Sequence, residues 1–197
     1  MNKTFFISDL HFHHKNILKY EPIRMAGLID YLKLPVGNDT NEKILNMLTQ
    51  STEDCEYIMD AHDKMLIKAW NSVVKANDTV WVLGDVFCCS KEIAKNIISQ
   101  LNGNKRLIKG NHDNWSDSVY YEMGFQYVSK YPIILKHRFI LSHAPLPDMN
   151  TNAPFFYIYG HVHSHINYQT KTINSQCVCC ERSNFTPIEI PEFNNAQ

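Results

Sequence analysis

The sequence is poor in glycine and proline and carries almost no net charge. Its 7 Gly and 8 Pro among 197 residues exclude a collagen-like or low-complexity chain. The formal net charge is −1 at pH 7, so the molecule as a whole is not drawn electrostatically to nucleic acid or to an anionic membrane. Because 44% of the residues are hydrophobic, we expect a globular protein with a sizeable core.

Signals for export or membrane insertion are also missing. Residues 1–7 lack the long apolar run and the cleavage site of a secretory signal, and no later segment approaches the length of a membrane span. We therefore expect a cytoplasmic protein without a membrane partner. Residues 1–190 are predicted to form one domain, and residues 191–197 a loose C-terminal tail. Proline and glycine interrupt the pattern between about residues 20 and 51, which predicts a cap or an extended loop over the site.

The 6 cysteines do not show the paired CxxC spacing of a structural zinc site. We predict reduced, mostly buried thiols rather than disulfides or zinc ligands. Near the C-terminus two of them alternate with a valine, as the residues of a strand would. The cysteines are Cys55, Cys88, Cys89, Cys177, Cys179 and Cys180.

Short runs of β-branched and aromatic residues predict strands along the whole chain. They cover residues 4–7, 79–83, 106–109, 132–135, 138–141, 155–159, 176–180 and 187–190. Apolar residues at steps of three and four predict helices over residues 54–74 and 91–101, the second with Ser90 as its N-cap. Helices alternating with the early strands, followed by successive strands, predict an α/β protein with a mixed sheet or two packed sheets.

Five of the predicted strands lead into the same kinds of polar residue. Because loops beyond the carboxyl ends of strands in α/β proteins converge on one crevice, we expect these groups to meet although they are far apart in sequence. A polar cluster of this kind needs a ligand. The groups are Asp9 and His11, then Asp85, then Asn111, His112 and Asp113, then His143, and finally His161 and His163.

Carboxylate, imidazole and amide donors without thiolate suit Mn²⁺, Fe, Zn²⁺ or Ni²⁺. Seven candidate ligands are too many for one tetrahedral ion, so we predict two metal ions: Asp9, His11, Asp85, Asn111, His143, His161 and His163. Two adjacent cations repel each other and need a shared anion, which Asp85 and a bridging hydroxide can supply. The remaining charge of about +1 favours an anionic phosphate as substrate.

These motifs, in this order, resemble those of the calcineurin-like metallophosphoesterase superfamily. They are Asp9-x-His11, Gly84-Asp85, Gly110-Asn111-His112-Asp113, Ser142-His143 and Gly160-His161-x-His163, and the resemblance spans residues 9–163. Further local similarity, at residues 9–12, 14–17 and 70–71, points to a small bacterial and phage branch. His13 departs from the pattern of that branch, where a small residue is more usual.

The resemblance implies a four-layer α/β/β/α sandwich with two central mixed β-sheets. It also implies a role for each motif residue. His112 would contact the phosphate and assist the leaving oxygen, and Asp113 would hold the His112 ring. The first metal would be bound by Asp9, His11 and His163, the second by Asn111, His143 and His161, and Asp85 would bridge them.

Other polar residues carry weaker predictions. His14, Asn16 and Arg24 are candidates for contacts with substrate, although a polar loop also explains them. His62 lies on the apolar face of its predicted helix and is interpreted as a hydrogen-bonded core histidine. The three tryptophans show no spacing typical of base stacking, so there is no strong signal for nucleic acid.

We predict a hydrolase that uses two divalent ions, Mn²⁺ in preference to Fe, Zn²⁺ or Ni²⁺, to cleave a small phosphate ester. A phosphodiester of nucleotide type is favoured by analogy with the superfamily. Two alternatives stay open: a phosphomonoesterase or protein phosphatase at the same site, and a binding or scaffold subunit without catalysis. The sequence leaves the oligomeric state open.

Overall fold

A computed structural model describes residues 2–150 and 154–195. The strands are β1 (Thr4–Ile7), β2 (Thr79–Val82), β3 (Asn104–Ile108), β4 (Phe125–Ser129), β5 (Ile133–Leu135), β6 (Phe139–Ser142), β7 (Phe156–Tyr159), β8 (Ser175–Cys177) and β9 (Ile188–Glu189). The α-helices are α1 (Ile17–Tyr20), α2 (Pro22–Tyr31), α3 (Asn38–Gln50), α4 (Thr52–Val73), α5 (Lys91–Gln100), α6 (Asp117–Met123) and α7 (Pro191–Asn194). Two short 3-10 helices cover Pro147–Asn150 and Cys180–Ser183.

The strands form two mixed sheets. The first has the order β4-β3-β2-β1-β9, with β1 to β4 parallel to their neighbours and β9 antiparallel. The second has the order β5-β6-β7-β8, with β6, β7 and β8 parallel and β5 antiparallel. The sheets approach each other where β1 and β8 end, because Ser8 donates to Val178 O at 2.9 Å and accepts from the Cys180 amide at 3.1 Å.

Successive side chains of the strands point to opposite faces of the sheet and therefore enter different cores. In β1, Phe5 and Ile7 pack with the helices, whereas Phe6 lies in the cluster between the two sheets. A third cluster, which includes Met149 and Tyr159, covers the outer face of the second sheet. Two mixed sheets flanked by helices confirm the predicted fold class. The layer that covers the outer face of the second sheet is thin.

Most of the predicted elements are confirmed. The long helix α4 and the helix α5 lie where the apolar periodicity placed them, and the Ser90 side chain accepts from the Ile93 amide as an N-cap. Each predicted strand overlaps a strand of the structure. The prediction missed β4 and α6, which are short and follow one another directly across Gly124. Their stability depends on pairing with β3 and on packing against it, which a local pattern does not reveal.

The structure differs from two predictions about irregular segments, the extended loop and the loose tail, whereas a role of residues 20–51 as a cap over the site stays a prediction. Residues 20–51 are mostly helical, because Pro22 stands at the first turn of α2 and Gly37 is the N-cap of α3, so neither interrupts a helix. The expected loose tail is ordered over residues 191–195. Phe193 is buried with its ring 5.0 Å from those of Phe6 and Phe139, and residues 196 and 197 lie outside the described part.

All six cysteines are free, as predicted, and Cys177, Cys179 and Cys180 are buried. The Cys177 and Cys179 thiols lie 3.4 Å apart. In the part of the chain that the structure describes, no helix has both the length and the hydropathy needed to cross a bilayer.

Candidate metal centre

The predicted residues follow the carboxyl ends of parallel strands and converge on one crevice between the two sheets. Among the described residues, four groups of three have ligand atoms that all lie within 4.8 Å of one another, and two of these groups consist entirely of predicted ligands. The first group is Asp9, His11 and His163, and the second is Asp85, His143 and His161. The structure therefore brings together side chains from four different loops, and the two clusters correspond to the two ligand sets that the resemblance implied, with Asp85 in the second.

Two members of the first group are buried, and His163 is partly exposed. Asp9 and His11 are 0% and 2% exposed, and His163 Nε2 lies 3.8 Å from Asp9 Oδ1. Burial, reinforced by the positive charge of Arg24, lowers the pKa of His11 to about 2. A neutral imidazole keeps the free electron pair that a metal ion requires. Asp9 Oδ1 and His11 Nε2 are buried without a hydrogen-bond partner among the described residues.

In the second group, a hydrogen bond to the backbone orients the His143 ring. His143 Nδ1 donates to Leu83 O at 2.8 Å, so in the neutral ring Nε2 carries the free electron pair. That Nε2 lies 3.0 Å from Asn111 Oδ1, 3.0 Å from His161 Nδ1 and 3.5 Å from Asp85 Oδ2. Four electron-rich atoms face one another here, an arrangement that a cation stabilises.

Both groups fit divalent ions on this evidence. The buried atoms without partners point into the crevice, and the donors are oxygen and nitrogen, which suit Mn²⁺, Fe, Zn²⁺ or Ni²⁺. Glycine keeps the crevice open at Gly110, where a Cβ would lie 2.7 Å from the Asp85 amide and closer still to its carboxylate. Gly160 plays the same part beside Asp9, since a Cβ there would lie 2.6 Å from Asp9 Oδ2.

The backbone of the crevice is strained in a consistent way. Five of the candidate ligands adopt positive φ, between 44° and 72°, although none is glycine: Asp9, His11, Asp85, His161 and His163. Non-glycine residues in this region are uncommon and concentrate at functional sites. The strain turns each side chain from the strand direction into the crevice.

One buried carboxylate beside the centre was missed in the sequence. Glu181 Oε1 accepts from His163 Nδ1 at 2.9 Å and from Arg24 Nε at 2.7 Å. Burial alone would raise the pKa of Glu181, but Arg24 and His163 outweigh it and lower that pKa to about 2. An ionised carboxylate here fixes the His163 ring so that Nε2 faces Asp9. A signal for it existed, because Glu181 follows β8 as the predicted ligands follow their strands.

Arg24 does not contact substrate, and that prediction is corrected. Its side chain is 0% exposed, and its guanidinium donates to the carbonyls of Asp9 and Leu10 and to Glu181. The guanidinium thus holds the turn that carries the first ligand group. His62 is the buried core histidine that was predicted, with Nε2 3.5 Å from Arg24 Nη1. Burial lowers its pKa far below the usual value.

Asp113 does not hold the His112 ring, which is a second correction. Its Oδ2 accepts from the amides of Asp85 and Gly110 at 2.7 and 2.8 Å, and its Oδ1 accepts from Val86 at 3.1 Å. Both carboxylate oxygens are therefore taken by backbone amides. Asp113 ties the loop after β3 to the loop after β2 and so positions Asp85.

His112 stands at the exposed edge of the crevice. Its side chain is 50% exposed, and its Nε2 lies 4.0 Å from Asp85 Oδ2. The His14 ring lies 5.4 Å from that of His11. His13, the residue that departs from the branch pattern, binds Asp63 through its amide at 2.7 Å and through Nδ1 at 2.9 Å. Asn16 is exposed at the start of α1, and its contact with substrate stays a prediction.

Comparison with known proteins agrees with this geometry. A family model described as calcineurin-like phosphoesterase matches residues 3–177. The uncharacterized protein MJ1445 of Methanocaldococcus jannaschii is 28% identical over 201 residues, which cover 96% of this chain and 88% of that protein. The Gene 66 protein of Mycobacterium phage L5 is 34% identical over 116 residues, 57% of this chain and 41% of that protein.

A solved structure shares the architecture. The protein of unknown function AQ665 from Aquifex aeolicus is 20% identical and superposes with a TM-score of 0.58, covering 98% of each chain. At that identity the likeness supports the fold alone.

Proposed function

The chain belongs to the calcineurin-like phosphoesterase family, whose chemistry is metal-dependent hydrolysis of phosphate esters, and from this premise we propose that it cleaves a phosphodiester of nucleotide type. The observation that carries the proposal is the position of Asp85 between the two donor groups. Its Oδ2 lies 3.7 Å from His11 Nε2 and 3.5 Å from His143 Nε2. A carboxylate that faces a donor of each group is suited to be shared by two cations.

The residues that would hold the metal ions follow from the two clusters. Asp9, His11 and His163 would hold one ion, Asn111, His143 and His161 the other, with Asp85 between them. When bound, the ions, Mn²⁺ in preference to Fe, Zn²⁺ or Ni²⁺, would supply the bridging hydroxide predicted from the sequence and neutralise the phosphate oxygens. Two carboxylates, Asp9 and Asp85, leave the loaded centre positively charged, which favours an anionic substrate.

The exposure of the residues indicates the side from which substrate enters. Asp9 and His11 are buried, whereas Asn111, His112 and His161 are exposed. The phosphate would therefore reach the centre past His112, whose ring would donate a proton to the leaving oxygen. The open rim leaves room for a second esterified group, which supports a diester rather than a monoester. The cytoplasmic location expected from the sequence is part of this proposal.

The test is hydrolysis of bis(p-nitrophenyl) phosphate and p-nitrophenyl phosphate by the Mn²⁺-loaded protein. We expect faster turnover of the diester. His112→Ala should keep its metal and lose about 10²- to 10⁴-fold in kcat, because a positioned general acid contributes that much. His137→Asn is the matched control, since His137 is exposed in the turn between β5 and β6 and has a φ of 52° that Asn tolerates.

The remaining outcomes separate the alternatives. Faster turnover of the monoester would replace the proposal with a phosphomonoesterase. A chain that binds no metal and turns over neither substrate would be a scaffold subunit. Unchanged turnover in His112→Ala would refute the role of that ring.

A further inference from the structure

A small cleft adjoins the candidate metal centre on the side of His112. Its volume is about 230 Å³, less than the roughly 300 Å³ at which pockets for drug-sized ligands begin. One ring system fits such a space, whereas a whole dinucleotide does not. His112 belongs to both regions, because it lines the cleft while its ring lies 5.2 Å from that of His11.

The wall of the cleft is aromatic. Trp115 is half-buried, and its indole stacks on Phe87 with ring centroids 6.1 Å apart and planes inclined by 28°. The Tyr120 ring also contacts the indole, with ring centroids 5.7 Å apart. Since two buried rings hold the indole in place and Trp115 lines the cleft, the indole offers a rigid platform for a planar group.

The rest of the lining is polar but uncharged. No Lys, Arg, Asp or Glu of the described chain lines the cleft. Cys88 and Cys89 contribute thiol groups to the lining. Asn114 contributes an amide that can both donate and accept a hydrogen bond. From the residues that the structure describes, the cleft offers no positively charged Lys or Arg to pair with a second phosphate or an acidic peptide. A nucleobase, in contrast, could stack on the indole platform and hydrogen-bond to the Asn114 amide.

We propose that this cleft binds the base of the leaving nucleoside, so that the substrate is a phosphodiester whose departing group is a nucleoside without a further phosphate. The inference rests on the proposed function. Water oxygen forms the new bond to phosphorus and releases its proton to solvent. The bond between phosphorus and the nucleoside oxygen breaks, its electron pair stays on that oxygen, and His112 protonates it. The products are a free nucleoside and a phosphomonoester.

A substrate with two different leaving groups tests this directly. Adenosine 5′-(methyl phosphate) yields adenosine and methyl phosphate if the nucleoside departs, or adenosine monophosphate and methanol if methanol departs. We expect the wild-type, Mn²⁺-loaded protein to release adenosine preferentially. Trp115→Ala should shift the product ratio towards methanol release by about 5- to 150-fold, the range for loss of one base–aromatic stack. The ratio does not depend on the amount of folded enzyme.

Trp115→Phe keeps a ring and should keep most of the preference, and Tyr131→Ala removes an aromatic that is 68% exposed and should leave the ratio unchanged. An unchanged ratio in Trp115→Ala would overturn the inference. If the wild type hydrolyses no diester, saturation-transfer NMR with adenosine still tests whether the cleft binds a nucleoside. Adenosine binding that is lost in Trp115→Ala and kept in Tyr131→Ala would support the cleft as a nucleoside site even though the proposed function fails. Absence of adenosine binding to the wild type would refute the cleft as a nucleoside site.

Discussion

Replacement of Glu181 by Gln removes a negative charge beside the metal centre but nearly keeps the shape of the side chain. Glu181 and Arg24 form an ion pair at 2.6 Å in which both side chains are 0% exposed. Gln is nearly isosteric and still offers an oxygen to His163 Nδ1. It removes the negative charge that balances the buried guanidinium, so the variant leaves an uncompensated cation beneath the centre.

The magnitude follows from two independent arguments. Breaking a buried ion pair by removing one partner destabilises a protein by about 3–5 kcal/mol. The pKa of Glu181 is about 2 in the folded protein against an ordinary value of 4.5, a difference that corresponds to about 3 kcal/mol at pH 7. For a chain of this size that loss lowers Tm by roughly 6–20 °C. Metal affinity should fall by about 10-fold, the lower end for partners of a ligating histidine, because the acceptor for Nδ1 is kept.

Two measurements check this prediction. Denaturant unfolding of the metal-free protein gives the free energy of unfolding, and titration with Mn²⁺ followed by calorimetry gives the affinity. Glu189→Gln is the control, because its ion pair with Lys3 at 2.7 Å is 36% and 56% exposed and should contribute less than about 1 kcal/mol. If Glu181→Gln unfolds at the same denaturant concentration as the wild type and binds Mn²⁺ equally well, Glu181 does not support the centre.

Two further predictions concern acid and the glycine beside Asp85. Because the folded pKa of Glu181 lies below its unfolded value, its contribution to stability is present above pH 4.5 and is lost as the pH falls towards 2. The wild type should therefore lose more stability than Glu181→Gln across that window. Parallel curves of the free energy of unfolding against pH would refute this. Gly110→Ala should displace the Asp85 carboxylate and lower metal affinity by more than about 10-fold, whereas Gly37→Ala, where a Cβ meets nothing within 4 Å, should bind metal normally. Equal affinities of the two glycine variants would contradict the close approach at Gly110.

The strands and the candidate ligands could be predicted because their sequence patterns are local or are repeated several times along the chain. A polar motif with Asp, Asn or His follows each of five short strands, β1, β2, β3, β6 and β7. The supporting contacts could not be predicted, because they join distant residues. Arg24 and Glu181 are 157 residues apart in sequence, and nothing near either one indicates that folding pairs them.

The two corrected roles have the same physical origin. Arg24 was a weak candidate for contact with substrate, with a solvated loop residue as the alternative, yet its long side chain on α2 is buried and reaches the turn at Asp9 and Leu10. The resemblance implied that Asp113 holds the adjacent His112 ring, but the backbone amides of two neighbouring loops converge on its carboxylate. Adjacency in sequence did not determine which partner the folded chain offers.

The central claim is that folding joins the two donor groups around Asp85. Elemental analysis of the protein after Mn²⁺ loading and desalting tests this claim most directly. We expect two Mn²⁺ per wild-type chain. The Asp85→Asn variant should hold at most one, because the shared negative charge is lost. A wild-type chain that holds no ion, or only one, would contradict a centre built for two.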